Sequence, residues 1–192
     1  MQLAYLLATV FNLVNEINFA TQQTDGYIWS EAHQFGWPMM RPMILEFPDD
    51  PACDTLDRQY MMGDALLGAP IFRKDGQVQY YLPEGPWTSL LDDGSVIEGG
   101  KWQTEIHDFM SMPLMVRPGT VLPLGAVDSK PDYDYLDGLE LHVYQLEEGE
   151  TRVVTIPDLK GNLAATFTVT MVNGEAKVET DSTKPYTVIV HR

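Results

Sequence analysis

PMMRPMILEFPDDPACDTLDRQYMMGDALLGAPIF, residues 38–72, is the stretch on which the reading of this chain turns. Met39–Leu45 is an almost continuous apolar run, broken by Arg41 and Pro42. Pro48–Pro51 (PDDP) is a turn. Asp54–Met62 has a short helical pattern ending at Gly63, and Ala65–Phe72 is a second apolar run. A continuous apolar run bounded by turn signals reads as a strand buried on both faces. Strand, loop, helix and strand in that order predict the end of a (β/α)8 barrel where it hands over to an all-β region. Arg41, inside an apolar strand, requires a partner for its charge, for which the candidates are Glu46 and an acid from another part of the barrel.

Downstream of Phe72 the period changes. Gln77–Leu82, Trp87–Leu91, Val96-Ile97, Trp102–Ile106, Met112–Arg117 and Val121–Leu124 are short strand patterns separated by Gly- and Pro-containing turns. Strands at this spacing predict a β-sandwich. Ser129–Gly138 is polar, Asp-rich and read as a linker. A second β series follows at Leu139–Leu146, Thr151–Ile156, Ala165–Val172, Ala176–Thr180 and Tyr186–Val190. Asn173-Gly174 lies between two alternating runs, a hairpin signal. Upstream, Leu3, Leu6, Leu7, Val10, Val14 and Ile17 recur at helical spacing. That helix is too short to span a bilayer and lacks the basic flank of a signal peptide. Ser30–Phe35 reads as a helix end with Gly36 after it.

The letters of the central stretch add a resemblance. Arg41-Pro42, Glu46-Phe47-Pro48, Asp49 to Cys53, Asp57-Arg58-Gln59-Tyr60-Met61, Gly63-Asp64 and Ala69-Pro70 form an ordered series that resembles glycoside hydrolase family 31. Within that family the series is similar to the α-xylosidase branch. The resemblance continues through Tyr80 to Gly85, Trp87, Pro113 to Gly119 and Leu122 to Gly125. It weakens after about Tyr135 and is absent before about Tyr27, a junction that a rearranged gene, a frameshift or a mistaken start codon would produce. It implies the C-terminal part of a longer, retaining α-glycosidase that acts on carbohydrate.

The fold class expected is therefore mainly β, with C-terminal β-sandwich units preceded by a short helical and strand remnant of a barrel. The division expected is 1–29 helical and unlike the family, 30–62 barrel end, 63–129 proximal sandwich and 130–192 distal sandwich. Two other readings stay open: a stand-alone carbohydrate-binding β-sandwich, and a pseudogene remnant.

Retaining glycosidases need two carboxylates about 5 Å apart. Glu46, Asp49 and Asp50 are the acids near the barrel-like segment, but the Asp residues flank prolines, where Asp commonly serves turns. The aspartates that the resemblance would make nucleophile and acid/base belong to earlier barrel strands, in a motif of the type Asp-Phe-Gly-Glu that does not occur here. No catalytic residue is assigned. Trp87 and Trp102 are candidates for stacking on sugar rings, with burial in the core as the plainer reading.

His33, His107, His142 and His191 are scattered without metal-ligand spacing, no serine sits in a nucleophile-elbow context, and no cofactor motif is present. The net charge of −16, from 28 acidic and 12 basic residues, argues against nucleic acid. The single Cys53 excludes an internal disulfide framework and permits a cytoplasmic location. An unpaired barrel strand at Met39–Leu45 would favour self-association, and removing residues 1–62 would then improve behaviour in solution.

Overall fold

The computed structural model describes residues 32, 35–91, 94–108, 111–127 and 133–192. The expected Leu3–Ile17 helix and the first part of the Ser129–Gly138 segment lie outside them. Gly36 adopts φ +70°, and its N–H donates to the Ala32 carbonyl at 3.1 Å, the expected end of a helix.

The chain is mainly β and divides into two compact units, covering Met40–Arg117 and Pro118–Arg192. In the first, β1 (Met40–Arg41), β2 (Tyr60–Met62), β3 (Leu66–Gly68), β8 (Leu114–Val116), β5 (Pro86–Ser89) and β6 (Val96–Glu98) form a six-stranded sheet in that order. All its pairings are antiparallel. A ribbon of β4 (Gln77–Leu82) and β7 (Lys101–Ile106) is the second layer. Met61, Leu67, Trp87 and Met115 from the sheet meet Val78, Tyr80 and Leu82 from the ribbon in one core. A Cβ at Gly99, between β6 and β7, would strike the Pro83 carbonyl oxygen, so the turn closes only with glycine there.

The stretch 39–62 differs from its sequence reading. Within Met39–Leu45 only Met40–Arg41 is strand. Pro42 ends it, and Met43–Glu46 is a single helical turn, α1, with Met43 fully buried. β1 pairs antiparallel with β2, Met40 opposite Met62, whereas barrel strands pair in parallel. The helix expected over Asp54–Met62 is a 3-10 turn at Pro51–Cys53, capped by the Asp50 side chain, followed by extended chain and β2. Residues 40–62 are built into the first unit's sheet and core, with β1 paired to β2 on one side and forming the edge of the sheet.

In the second unit, β10 (Leu139–Tyr144) lies between β9 (Thr120–Leu124), antiparallel, and β14 (Tyr186–His191), parallel. β11 (Thr151–Pro157), β12 (Leu163–Val172) and β13 (Glu175–Thr180) make an antiparallel sheet. Leu141 and Val143 of one sheet share a core with Val154, Phe167 and Val169 of the other. Asn173 and Gly174, at φ 54° and 75°, turn β12 into β13 as their letters predict. The two compact units meet in the chain at Arg117/Pro118. Pro118-Gly119 is a turn there, with Gly119 at φ 76°.

Candidate carbohydrate-binding cleft

On β4 and β7, alternate residues point to opposite faces. Val78, Tyr80 and Leu82 enter the core, which leaves Gln79 facing out, with Trp102, Thr104 and Ile106 exposed on the partner strand. The register sets Gln79 opposite Thr104 and Tyr81 opposite Trp102. Trp102 is 52% exposed and meets the Tyr81 ring at 5.8 Å between centroids. This outer face borders a cleft of about 500 Å³, walled by the Thr55–Gln59 loop and by Pro70 to Arg73.

The first wall is pinned by an amide that the sequence reading did not single out. Buried Gln59 donates to the Tyr81 carbonyl and accepts from the Tyr81 N–H, both at 2.7 Å, so its side chain acts as an extra strand partner for β4. Nothing in a lone glutamine 22 residues from its partner announces such a bond. Arg73, at the other wall, is held by Asp75 at 2.6 and 3.0 Å, and that hydrogen bond keeps the Asp75 carboxyl well below the usual carboxylate range.

Trp87, the other stacking candidate, has no exposed surface. Its indole Nε1–H donates to the Pro83 carbonyl at 2.8 Å, and its ring packs on Phe47. It offers no face to a sugar, and the core reading holds for it.

The acids near the N-terminal side are occupied structurally. Glu46 takes Arg41 at 2.7 Å and Arg117 at 3.1 Å, which supplies the partner that Arg41 requires. Asp50 accepts from the Ala52 N–H at 3.0 Å and from the Tyr81 hydroxyl at 3.0 Å. Burial, with the Asp50 contact adding to it, pushes the Tyr81 hydroxyl up to about 12. Asp49 is exposed in the turn before the 3-10 helix. Cys53 is buried, and burial followed by the charges of Asp50 and Asp54 raises its thiol to about 11, so it behaves as a small apolar group.

Two further polar clusters do not line the cleft. His107 bridges Glu105 (2.7 Å) and Ser111 (3.0 Å), and Glu105 also accepts from the Tyr80 hydroxyl at 2.5 Å. In the second unit, His142 meets His191 at 3.0 Å and Glu140 at 3.0 Å, while Tyr144 stacks on His191 at 4.2 Å. Among the described residues no three His, Cys, Asp or Glu side chains are grouped to hold a metal ion, and no helix is long and apolar enough to cross a membrane.

Comparison with known proteins agrees with this architecture. Residues 36–122 match the glycosyl hydrolase family 31 C-terminal domain, and residues 134–192 match the C-terminal domain of the α-xylosidase YicI. The chain belongs to glycoside hydrolase family 31 and corresponds to its C-terminal part. An α-xylosidase of Emericella nidulans is 38% identical over 80% of this chain and 21% of the relative. The α-xylosidase XylQ of Lactiplantibacillus pentosus is 36% identical over 86% and 22%. The chain thus spans about a fifth of the length of these curated relatives. Among solved structures, the family 31 α-xylosidase of Xanthomonas citri superposes with TM-score 0.67 at 25% identity, over 90% of this chain and 20% of that one. A cycloalternan-forming enzyme of Listeria monocytogenes, solved with a pentasaccharide substrate, gives TM-score 0.73 at 25% identity, over 90% and 17%.

Proposed function

We propose that this chain is the C-terminal portion of a retaining α-glycosidase that hydrolyses α-xylosides or α-glucosides, and that it has no hydrolytic activity alone. The observation that carries the reading is the succession of two family 31 C-terminal domains, at 36–122 and 134–192, in a chain that spans about a fifth of the length of its α-xylosidase relatives. Glycoside hydrolysis requires two carboxylates flanking the scissile bond. Supporting the inactivity, Glu46 and Asp50 are committed to arginine, backbone and tyrosine partners within the first unit. A stand-alone carbohydrate-binding module is the second reading, and the half-exposed Trp102 beside a cleft favours it.

The test is hydrolysis of 4-nitrophenyl α-xyloside and α-glucoside by the chain alone, and by a chimera in which it replaces the corresponding C-terminal part of the Lactiplantibacillus pentosus α-xylosidase. The expected result is no turnover by the chain and α-xylosidase activity in the chimera. Turnover by the purified chain above buffer, or a folded chimera without activity, would overturn the proposal.

A further inference from the structure

We infer that the cleft between the β4–β7 ribbon and the Thr55–Gln59 loop is a non-catalytic binding site for a short α-linked oligosaccharide, with Trp102 as its stacking platform. Ligand clefts of roughly 300–1,000 Å³ combine apolar surface with a few convergent polar groups, and the space here is about 500 Å³. An exposed indole offers a flat, electron-rich face that suits the C–H face of a sugar ring. Tyr81 backs that indole at 5.8 Å. Gln79 and Thr104, cross-strand partners on the same face, place an amide and a hydroxyl beside it for sugar hydroxyls.

The wall is preformed rather than assembled on binding. Gln59 clamps its loop to the Tyr81 backbone through two buried hydrogen bonds of 2.7 Å, which lowers the ordering cost of association. A neutral ligand fits the charge. The chain carries −16 overall, Asp57 and Arg58 of the lining lie 3.9 Å apart, and Arg73 at the edge is already engaged by Asp75. An anion would find little net attraction there. Choosing α-linked sugars over other neutral polyols rests on the glycosidase reading above; the cleft itself does not.

The experiment is a titration of the full chain, labelled with 15N, with isomaltotriose and separately with methyl α-xyloside, following the indole N–H resonances. The Trp102 resonance is assigned from the Trp102→Phe spectrum. Saturable movement of the Trp102 signal is expected, with the Trp87 signal unmoved because its N–H is bonded inside the core. Trp102→Ala should weaken binding about tenfold or more, as loss of an aromatic anchor does. Thr104→Ala, which removes one hydroxyl and leaves the platform, should weaken it by a smaller factor. A wild-type chain that binds neither sugar, or binding that survives Trp102→Ala unchanged, would overturn the site. Because the readout is binding by this chain and not hydrolysis by the chimera, failure here leaves the glycosidase proposal standing, and the reverse also holds.

Discussion

Glu46→Gln isolates the charge network that ties the start of the first unit to its end. Glu46 closes α1, Arg41 belongs to β1, and Arg117 follows β8. The Arg41 and Glu46 side chains are 5% and 10% exposed and meet at 2.7 Å. At that separation the attraction is about 6 kcal/mol for an effective dielectric of 20, but taking both groups out of water offsets much of it. Removing one member of such a pair leaves the other charged and buried, at a cost of about 3–5 kcal/mol. Arg41 makes a further interaction besides Glu46, so the expected loss is at the low end, about 3 kcal/mol. Arg117, with its side chain 34% exposed, contributes less, and Arg117→Met should cost about 1 kcal/mol or less. Urea unfolding followed by tryptophan fluorescence, with Trp87 reporting from the core, measures this. With a slope of about 1.5 kcal/mol/M, the Glu46→Gln midpoint falls by about 2 M. The double variant Arg41→Met/Glu46→Leu, which removes both charges, should recover most of the loss. A Glu46→Gln loss under about 1 kcal/mol, or a double variant as unstable as the single one, would refute the reasoning.

Burial, then the neighbouring His142, lowers the His191 pKa below 6.5, so the folded second unit favours the neutral ring. The unfolded chain takes up its proton first as pH falls, and stability is lost from about pH 6.5 downward to the folded-state value. His191→Phe, which keeps a ring against Tyr144, should flatten the dependence of the thermal midpoint between pH 7.5 and 5.5; an equal slope in both proteins would exclude the effect. Deleting residues 1–62 removes β1, β2 and the buried Met43, Cys53 and Met61. Large core side chains each contribute about 2–5 kcal/mol, against a total stability of about 5–15 kcal/mol. The deletion should abolish cooperative unfolding of the first unit in calorimetry, the reverse of the benefit that a dangling strand would predict; a sharper, better-behaved transition after deletion would contradict the fold described above.

The β series was legible because its burial alternates. In β12 the residues from Ala165 to Val172 alternate buried and half-buried, and the period-two pattern of letters follows that alternation. The glycine and asparagine of the β12–β13 turn announced themselves by the positive φ they must adopt. Met39–Leu45 was not legible, because a short apolar run does not distinguish a strand from a buried helical turn by period alone. Pro42, in extended conformation before the helical turn, was the available signal. The cleft was half legible. Trp102 sits in KWQTEI, an alternating strand whose exposed positions include Trp102, Thr104 and Ile106, whereas Trp87 sits in PWTS, where three of four residues are buried. The Gln59 clamp was out of reach, since it depends on a contact across the fold.

The letters that carry the family resemblance turn out to be ties inside the first unit. Arg41 and Glu46 form the ion pair with Arg117. The Arg117 guanidinium lies 4.5 Å from the Phe47 ring centroid, and Phe47 packs in turn on Trp87 at 6.0 Å. Asp50 caps the 3-10 turn and accepts from Tyr81, and Gln59 grips the Tyr81 backbone. Met61 enters the core directly. Glu46, Phe47, Asp50 and Gln59 join the segment before β2 to residues far along the chain: Tyr81 of β4, Trp87 of β5 and Arg117 just after β8. Such ties demand particular side chains at particular spacings because a buried charge or amide without its partner costs several times more than a surface one. A motif of this kind reports the folding of a sheet onto its entry segment. Its presence therefore identifies the architecture.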